Sequence, residues 1–297
     1  MRRVLPLAAV LIAAATTELV SQDWRAVDAA IGRPGVDQPG GVRRYNFPRP
    51  DLRVVAAGVQ VKPTLALGGW AAFKRVPGAI HGDVAMMMGD LVLTEAELAP
   101  VILRLQQGGI EQTAIHHHLV REAPRVLYVH IHAMDEPVRL AETLRAAVAL
   151  TRIPAPTTAR PPATPSALDL DTAAITRALG FAGRENGGVY QVSIPRAETI
   201  RESTFEIPAS MGLGTAINFQ PTGNGRAAIA GDFVMTATEV NPVIRALREN
   251  GIETISLHNH LLAEEPRLFF MHFWANDDAV KLARGLRAGL DKTNVRR

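Results

Sequence analysis

The sequence predicts an α+β protein made of two tandem repeats, each an antiparallel sheet with helices on one face. Residues 89–148 align without a gap with residues 231–290, and 27 of the 60 aligned positions are identical. Within each copy, apolar runs typical of buried strands alternate with segments whose apolar residues recur at helical spacing. A stretch rich in proline and threonine separates the copies. Such a duplication predicts one folding unit that is used twice.

The aligned part of each copy begins with a strand and a helix. The apolar runs "VAMMMGDLVL" and "RAAIAGDFVM" are typical of buried strands. Residues 98–105 then carry apolar side chains at helical spacing, which predicts an amphipathic helix, and the second copy repeats the pattern. Thr94 and Glu97 fit a capping box. Because Pro100 lies deep for such a start, we expect the regular helix to begin at this proline, after a separate turn.

Two further strands and a second amphipathic helix complete each copy. The resulting order of strand, helix, strand, strand and helix is typical of a ferredoxin-like, split βαβ sandwich whose missing edge strand is supplied from upstream. Helices on one face leave the other face of the sheet free to meet its twin or to hold a ligand. We therefore expect a pseudo-dimer of the two repeats within one chain. A βαβββ metal-chelating module is the alternative.

Four segments are predicted along the chain. They are a signal peptide at 1–15, the first repeat at 16–150, a Pro/Thr-rich linker at 151–166 and the second repeat at 167–297.

The N-terminal segment predicts export. Arg2 and Arg3 precede an apolar run and a small-residue cleavage site, which is typical of a secretory signal peptide. The run is too short for a stable membrane span. Removal of these two arginines lowers the formal charge from +3 to +1, too small for a nucleic-acid-binding protein. We therefore expect a periplasmic or secreted protein, and the absence of cysteine excludes disulfides and thiolate metal sites.

Eight of the nine histidines lie in two similar stretches, "IHHHLVREAPRVLYVHIH" and "LHNHLLAEEPRLFFMHFW". Residues two apart share a strand face, so His116 and His118 point the same way. We expect them to meet His130 and His132 on the next strand, with His118 opposite His130 and His116 opposite His132. The second copy gathers its histidines in the same way, except that Trp274 replaces the last one.

A glutamate completes the pattern His-x-His-x-x-x-Glu in both copies. Three imidazoles and a carboxylate suit a divalent transition metal, with zinc first and iron, manganese, nickel or copper as alternatives. The glutamate is either a ligand or the general base of a metal-assisted reaction, which makes Glu122 and Glu264 the catalytic candidates. The predicted metal ligands are His116, His118, Glu122, His130, His132, His258, His260, Glu264 and His272.

Other polar residues in the repeated stretches have weaker predictions. Asp90 and Asp232, in the repeated "GD" pair, either orient a histidine or hold a turn. His117 lies on the opposite face of its strand and is not expected in the site. His81 falls in an insertion of the first copy and is expected to be exposed.

Three classes of function are consistent with these patterns. The first is a metal-dependent enzyme in which the ion activates water or polarises a carbonyl. The second is a non-catalytic protein that handles metal in the cell envelope. The third is a metal-free module whose histidines and tryptophan bind a small-molecule component of the envelope.

The doubled arrangement "GDxVxT…GIE…HxHxxxEPR…H" resembles the LppY/LpqO-type family of bacterial envelope proteins, a domain of unknown function. The resemblance covers nearly the whole chain after the signal segment, and "LHNHLLAEEPRLFFMHFWANDD" carries its most specific part. It implies an exported location and a doubled architecture, and it implies no reaction. Some members of the family resemble lipoproteins, whereas this chain has no cysteine to carry a lipid anchor.

Overall fold

The computed structural model describes residues 23–78, 82–155 and 168–297. The predicted signal peptide at 1–15, residues 156–166 of the predicted linker and His81 lie outside these residues. Inside the described ranges, no helix is long and apolar enough to cross a membrane.

The described elements of the two repeats follow one another in the same order. Those of the first repeat are α1 (Arg25–Ile31), β1 (Val36–Gln38), β2 (Val42–Pro48), β3 (Val55–Ala56), β4 (Val59–Gln60), α2 (Pro63–Ala66), β5 (Gly68–Arg75), β6 (Ala85–Thr94), α3 (Glu95–Gln107), β7 (Glu111–His116), β8 (Glu122–Ala123), β9 (Val126–Asp135) and α4 (Pro137–Val148). Those of the second are α5 (Thr172–Leu179), β10 (Arg184–Asn186), β11 (Val189–Pro195), β12 (Ile200–Glu202), β13 (Phe205–Ile207), a 3₁₀ turn (Ala209–Met211), β14 (Gly214–Gly223), β15 (Arg226–Met235), α6 (Ala237–Glu249), β16 (Glu253–His258), β17 (Glu264–Glu265), β18 (Phe269–Asp278) and α7 (Ala279–Leu290).

Each repeat has a six-stranded antiparallel sheet, which confirms the predicted fold class. The strand orders are β1-β2-β5-β6-β9-β7 and β10-β11-β14-β15-β18-β16. In the first sheet β9 lies between β6 and β7, and β5, which precedes β6 in the chain, lies on the other side of β6. This is the expected split βαβ arrangement with its edge strand supplied from upstream.

The two faces of each sheet pack against different partners. In β6, Met87 and Leu91 face helices α1, α3 and α4 in the core of the first repeat. Met86 and Met88 face the opposite way and pack with residues of the second repeat, such as Phe270. Because successive strand residues alternate between faces, the two sheets meet in the middle and the helices lie outside. The interior of the molecule is therefore an interface between the repeats.

Helix α3 starts at Glu95, so the expectation that it begins at Pro100 is wrong. The Thr94 side chain accepts from the backbone of Glu97, and the Glu97 carboxylate accepts from the Thr94 backbone N–H at 2.9 Å. Helix α6 starts in the same way, five residues before Pro242. A capping box satisfies two free N–H groups, whereas the proline removes one intrahelical bond. The cap therefore decides where the helix begins.

A buried arginine that was not predicted from the sequence holds the capping-box glutamate in each repeat. Arg49 is fully buried and donates to both carboxylate oxygens of Glu97, at 2.7 and 3.1 Å, and to the Val92 carbonyl at 2.8 Å. Arg196 binds Glu239 at the same two distances. Burial alone would raise the pKa of Glu97, but hydrogen bonds from Arg49 and from backbone N–H groups lower it below its ordinary value. The available signal was the arginine repeated in "FPRP" and "IPRA".

Candidate metal centre

Six histidines, three from each repeat, form one cluster between the two sheets. Five are buried and His118 is half-buried. The rings of His116 and His258 are stacked with their centroids 3.9 Å apart, and His118 lies 3.7 Å from His272 of the other repeat. The equivalent pair, His260 and His130, has its ring centroids 3.8 Å apart. The sequence predicted a separate site within one or both repeats, whereas the structure forms one shared cluster whose members are His116, His118, His130, His258, His260 and His272.

The ring nitrogens of these histidines converge. His116 Nε2 lies 3.1 Å from His272 Nε2 and 3.0 Å from His118 Nε2. Two nitrogens bound to one zinc ion at tetrahedral angles lie roughly 3.3 Å apart, given Zn–N distances of about 2.0–2.1 Å. Three triads have ligand atoms within 4.8 Å of one another: His116 with His258 and His272, His116 with His118 and His130, and His130 with His258 and His260.

Backbone carbonyls determine which nitrogen of the strand histidines faces the cluster. His272 Nδ1 donates to the Gly231 carbonyl at 2.7 Å, and His130 Nδ1 donates to the Gly89 carbonyl at 3.2 Å. His260 Nδ1 donates to a loop carbonyl at 2.9 Å. Because a neutral imidazole carries one proton, Nε2 of each ring presents a lone pair. Metal-bound histidines are commonly held in this way by a carbonyl on the far nitrogen.

Protons on the rings cannot satisfy all the nitrogens of the cluster. His116 Nε2 has two nitrogen neighbours and at most one proton to share. Burial, followed by the neighbouring imidazoles, lowers the pKa of His116 and His130, and burial lowers the pKa of His258 to about 2. Nε2 of His130 and both ring nitrogens of His258 have no hydrogen-bond partner among the described residues. A buried set of lone pairs of this kind fits a cation.

One aspartate from each repeat also faces the histidines. Asp90 Oδ2 lies 3.3 Å from His118 Nε2, and Asp232 Oδ2 lies 3.1 Å from His260 Nε2. Asp90 is directly opposite His130 in the ladder between β6 and β9, and the second repeat has the same pairing. Of the two roles left open by the sequence, these positions fit the contact with a histidine and not the turn. Burial and the charge of Asp232 raise the pKa of Asp90.

The glycine of the repeated "GD" pair allows the strands to approach closely at this point. A Cβ on Gly89 would lie 2.6 Å from the Trp70 carbonyl oxygen, and a Cβ on Gly231 would overlap the carbonyl oxygen of Ala216. Only glycine fits such a backbone approach. The pair thus supplies a carbonyl for a histidine Nδ1 through the glycine and a carboxylate through the aspartate. This explains in physical terms why "GD" recurs in both repeats.

The Gly231→Ala variant is expected to bind metal about 10- to 100-fold more weakly than the wild type, because the added methyl group displaces the carbonyl that orients His272. Competition with a chromophoric chelator measures the change, and circular dichroism confirms that the variant is folded. Gly68→Ala is the matched control, since its Cβ would meet only the Pro63 carbonyl at 3.8 Å. Unchanged affinity in folded Gly231→Ala protein would contradict the assigned role.

The two predicted glutamates lie outside the triads. They belong to β8 and β17, which pair with β3 and β12 in small separate sheets. Glu264 Oε1 accepts from the Leu268 backbone at 2.9 Å, and its Oε2 accepts from Arg267 at 3.3 Å. Glu122 Oε1 lies 3.3 Å from Nδ1 of His117, which is itself outside the cluster as expected. The spacing His-x-His-x-x-x-Glu thus spans the point where the chain leaves the main sheet.

The predicted register between the two histidine strands is wrong. His116 lies opposite Tyr128, whereas it was predicted opposite His132, with His118 opposite His130. The chain leaves the main sheet after His116 to form β8, so the pairing ends there. The observed register differs from the predicted one by four residues. Because this number is even, the histidines keep their predicted face of the sheet. His132 is therefore opposite Glu111, and it does not belong to any of the three triads.

His132 contacts the second repeat at another point. Its Nε2 lies 3.0 Å from a carboxylate oxygen of Glu202. Trp274, its counterpart in the second repeat, is buried with residues of both repeats. This position thus differs between the repeats, whereas each of the three clustered histidines of one repeat has a histidine at the equivalent position of the other.

A cleft of about 960 Å³ between the repeats opens onto the cluster. This volume is in the range of small-molecule sites. The histidines and aspartates that line it are Asp90, His118, His130, Asp232, His260 and His272. A ligand in the cleft would therefore contact the candidate metal centre directly.

Comparisons with known proteins identify a family and no activity. A family model described as "Domain of Unknown Function (DUF1259)" matches residues 25–150 and 173–292. The comparison with curated proteins gives no match. Two solved structures are similar over 86% of this chain and 90% of theirs: the trimeric bacterial microcompartment shell protein PduB, at 14% identity, and EtuB from Clostridium kluyveri, at 11%. Both have a TM-score of 0.20, which is too low to indicate a shared fold.

Proposed function

The chain belongs to the family described as Domain of Unknown Function (DUF1259), and we propose that it binds a divalent transition metal through the histidine cluster between its two repeats. The observation that carries this proposal is the convergence of six imidazoles from both repeats, with ring nitrogens 3.0 to 3.1 Å apart at His116. Purely structural histidines would pair with donors and acceptors around them. Here the Nε2 atoms of His116, His118 and His272 face one another.

The donor set favours zinc among the metals that imidazole binds, and iron, manganese, nickel and copper accept the same ligands. The triad of His116, His258 and His272 takes ligands from both repeats. Its members would therefore link the two sheets as well as hold the ion. Asp90 and Asp232 lie beside the ring nitrogens, where a carboxylate either completes the coordination or accepts a hydrogen bond.

Protein purified without a histidine tag is expected to contain at least one equivalent of a transition metal per chain. Because the ion would bind only the folded state, its removal by a chelator is expected to lower the melting temperature. At a free metal concentration 100 times Kd the stabilisation is about 2.7 kcal/mol. Elemental analysis and thermal unfolding test these two points. Less than one equivalent after gentle dialysis, together with no zinc or nickel binding by calorimetry, would exclude the proposal.

The cleft favours an enzymatic role over simple metal storage. Asp90, His118 and His130 belong both to the cleft wall and to the surroundings of the centre, so a bound molecule reaches the centre. A bound metal would supply Lewis acidity for a carbonyl or for water. Asp90 and Asp232 are then the carboxylates placed to accept a proton. Glu122 and Glu264, the candidates from the sequence, have partners elsewhere.

We also propose that the protein is exported and is of the LppY/LpqO type. The apolar segment after Arg2 and Arg3 and the doubled "HxHxxxEPR" motif support this. N-terminal sequencing of the protein recovered from the cell envelope or the medium tests export, because a retained Met1 would contradict removal of the segment.

A further inference from the structure

Arg44 lines the cleft and has no acidic partner among the described residues. Its guanidinium lies over the Trp70 ring, 4.1 Å from the centroid, and its Nε donates to Asn46 Oδ1 at 3.4 Å. No carboxylate among the described residues forms an ion pair with it. Stacking on an aromatic ring fixes the plane of a guanidinium and leaves its edge free for a planar anion. Arg44 thus has the features of a ligand-binding arginine.

A second guanidinium lines the same cleft. Arg184, the first residue of β10 in the second repeat, also has no ion pair with a described carboxylate. Burial lowers the pKa of Arg44 to about 10, Asp90 raises it, and the positive charge of Arg184 lowers it. Arg44 is therefore still charged at neutral pH. Neither arginine forms an ion pair with a described carboxylate, so both guanidinium groups can donate to an anion in a cleft that Asp90 and Asp232 also line.

The sheet connects this position with the histidine cluster in a straight line. Asn46, Trp70, Asp90 and His130 are directly opposite one another on neighbouring strands. Strands lie about 4.8 Å apart, so the line from Asn46 to His130 is roughly 14 Å long at the backbone. Arg44 is two residues from Asn46 and shares its face of the sheet. A ligand of a few bonded atoms held by Arg44 would therefore extend towards the cluster.

The rest of the cleft wall suits a ligand rich in hydroxyl groups. Amide and hydroxyl side chains both donate and accept hydrogen bonds, as alcohols do. The neutral polar residues of the wall are Gln38, Asn46, Thr64, Asn186, Gln191, Ser193, Ser210 and Asn218.

The two repeats differ at the positively charged end of the cleft. Strands β2 and β11 are both seven residues long and end at the same proline-arginine pair, which places Gln191 at the position of Arg44. Ala216, opposite Asp232, takes the position of Trp70, which is opposite Asp90. Arg44 and its aromatic ring occur in the first repeat only, and Arg184 of the second repeat lies on a different strand, opposite Gln191, while the histidines occur in both repeats. This asymmetry gives a bound molecule one orientation.

We propose that the cleft binds a small polyhydroxylated anion, a sugar acid or a sugar phosphate. Arg44 and Arg184 hold its carboxylate or phosphate, the amide and hydroxyl side chains contact its hydroxyl groups, and one of its oxygens lies at the histidine cluster. Only this last contact rests on the proposed metal function. The anion contact is independent of it.

Calorimetric titration of the full-length protein, incubated with zinc, tests the proposal with glucuronate, glucose 6-phosphate and glucose as probes. At least one of the two anions is expected to bind, and glucose at least about tenfold more weakly. The preferred anion identifies carboxylate or phosphate as the recognised group. Arg44→Gln, which installs the residue of the second repeat, is expected to raise Kd at least about tenfold, equivalent to about 1.4 kcal/mol. Arg53→Gln, an exposed arginine outside the cleft, is expected to leave Kd unchanged.

The proposal is overturned if neither anion binds, or if wild-type and Arg44→Gln proteins bind the anions equally well. Metal content measured on the same samples separates the two hypotheses. Bound metal without anion binding would remove the ligand proposal and keep the metal centre. Arg44-dependent anion binding by protein that contains no metal would keep the ligand proposal and remove the metal centre.

Discussion

Replacing both His116 and His258 by alanine is expected to abolish tight metal binding. Each of the three triads contains at least one of these two residues, so the double variant leaves no triad complete. Zinc binding to structural sites with four ligands has an apparent free energy of about 10–16 kcal/mol. One ligand then accounts for about 3 kcal/mol, which corresponds to a more than 100-fold increase in Kd. Chelator competition and elemental analysis measure this loss.

Two further variants make the test specific to the cluster. His117→Ala removes a histidine of the same stretch that contacts Glu122 and lies outside the triads, and it is expected to keep full metal content. His116→Ala alone leaves the triad of His130, His258 and His260 intact, so it is expected to bind more metal than the double variant. Wild-type stoichiometry in the double variant would rule out the shared centre.

Replacing Arg49 by alanine is expected to lower the free energy of unfolding by about 3–5 kcal/mol, because it leaves a buried carboxylate without its partner. Glu97 is 8% exposed, and it also caps α3 and accepts from the Arg152 backbone at 2.9 Å. A domain is stable by only about 5–15 kcal/mol, so the expected loss is a large fraction of the total. Urea denaturation followed by circular dichroism measures it.

The duplication provides an internal control for this prediction. Arg196→Ala is expected to cost a similar amount, since Arg196 holds Glu239 with the same geometry. Arg53→Ala, at an exposed position four residues after Arg49, is expected to change stability by less than about 0.5 kcal/mol. Losses below about 1 kcal/mol for both buried arginines would show that the pair is not needed to hold the helix in place.

The duplication and the hydrophobic periodicity were sufficient to predict the fold. A gapless offset between residues 89–148 and 231–290 requires two similar units, and the apolar spacing identifies their strands and helices. The even spacing of His116 and His118, and of His258 and His260, assigns each pair to one face of a strand. Face and element type are local properties, and a single sequence contains them.

The composition of the centre depends on contacts that no local pattern contains. Which histidines meet is set by the packing of one sheet on the other, so His118 lies beside His272 and not opposite His130. Glu122 was predicted from spacing alone, and the chain leaves the main sheet before reaching it. Asp90 had a visible signal in the repeated "GD" pair. Its contact with the histidines depends on the strand pairing, which places Asp90 opposite His130.

The stacked rings of His116 and His258 lie where a two-fold rotation would relate the two halves, as in a symmetric homodimer. In such a dimer every substitution would appear on both sides of the axis. Joined in a single polypeptide, the halves are free to diverge one at a time, so Arg44 can occupy the position that a glutamine has in the other repeat while the histidines remain matched. Covalent fusion thus separates two requirements: the histidines of the proposed metal centre are kept in both halves, while the residues of the proposed ligand site differ between them.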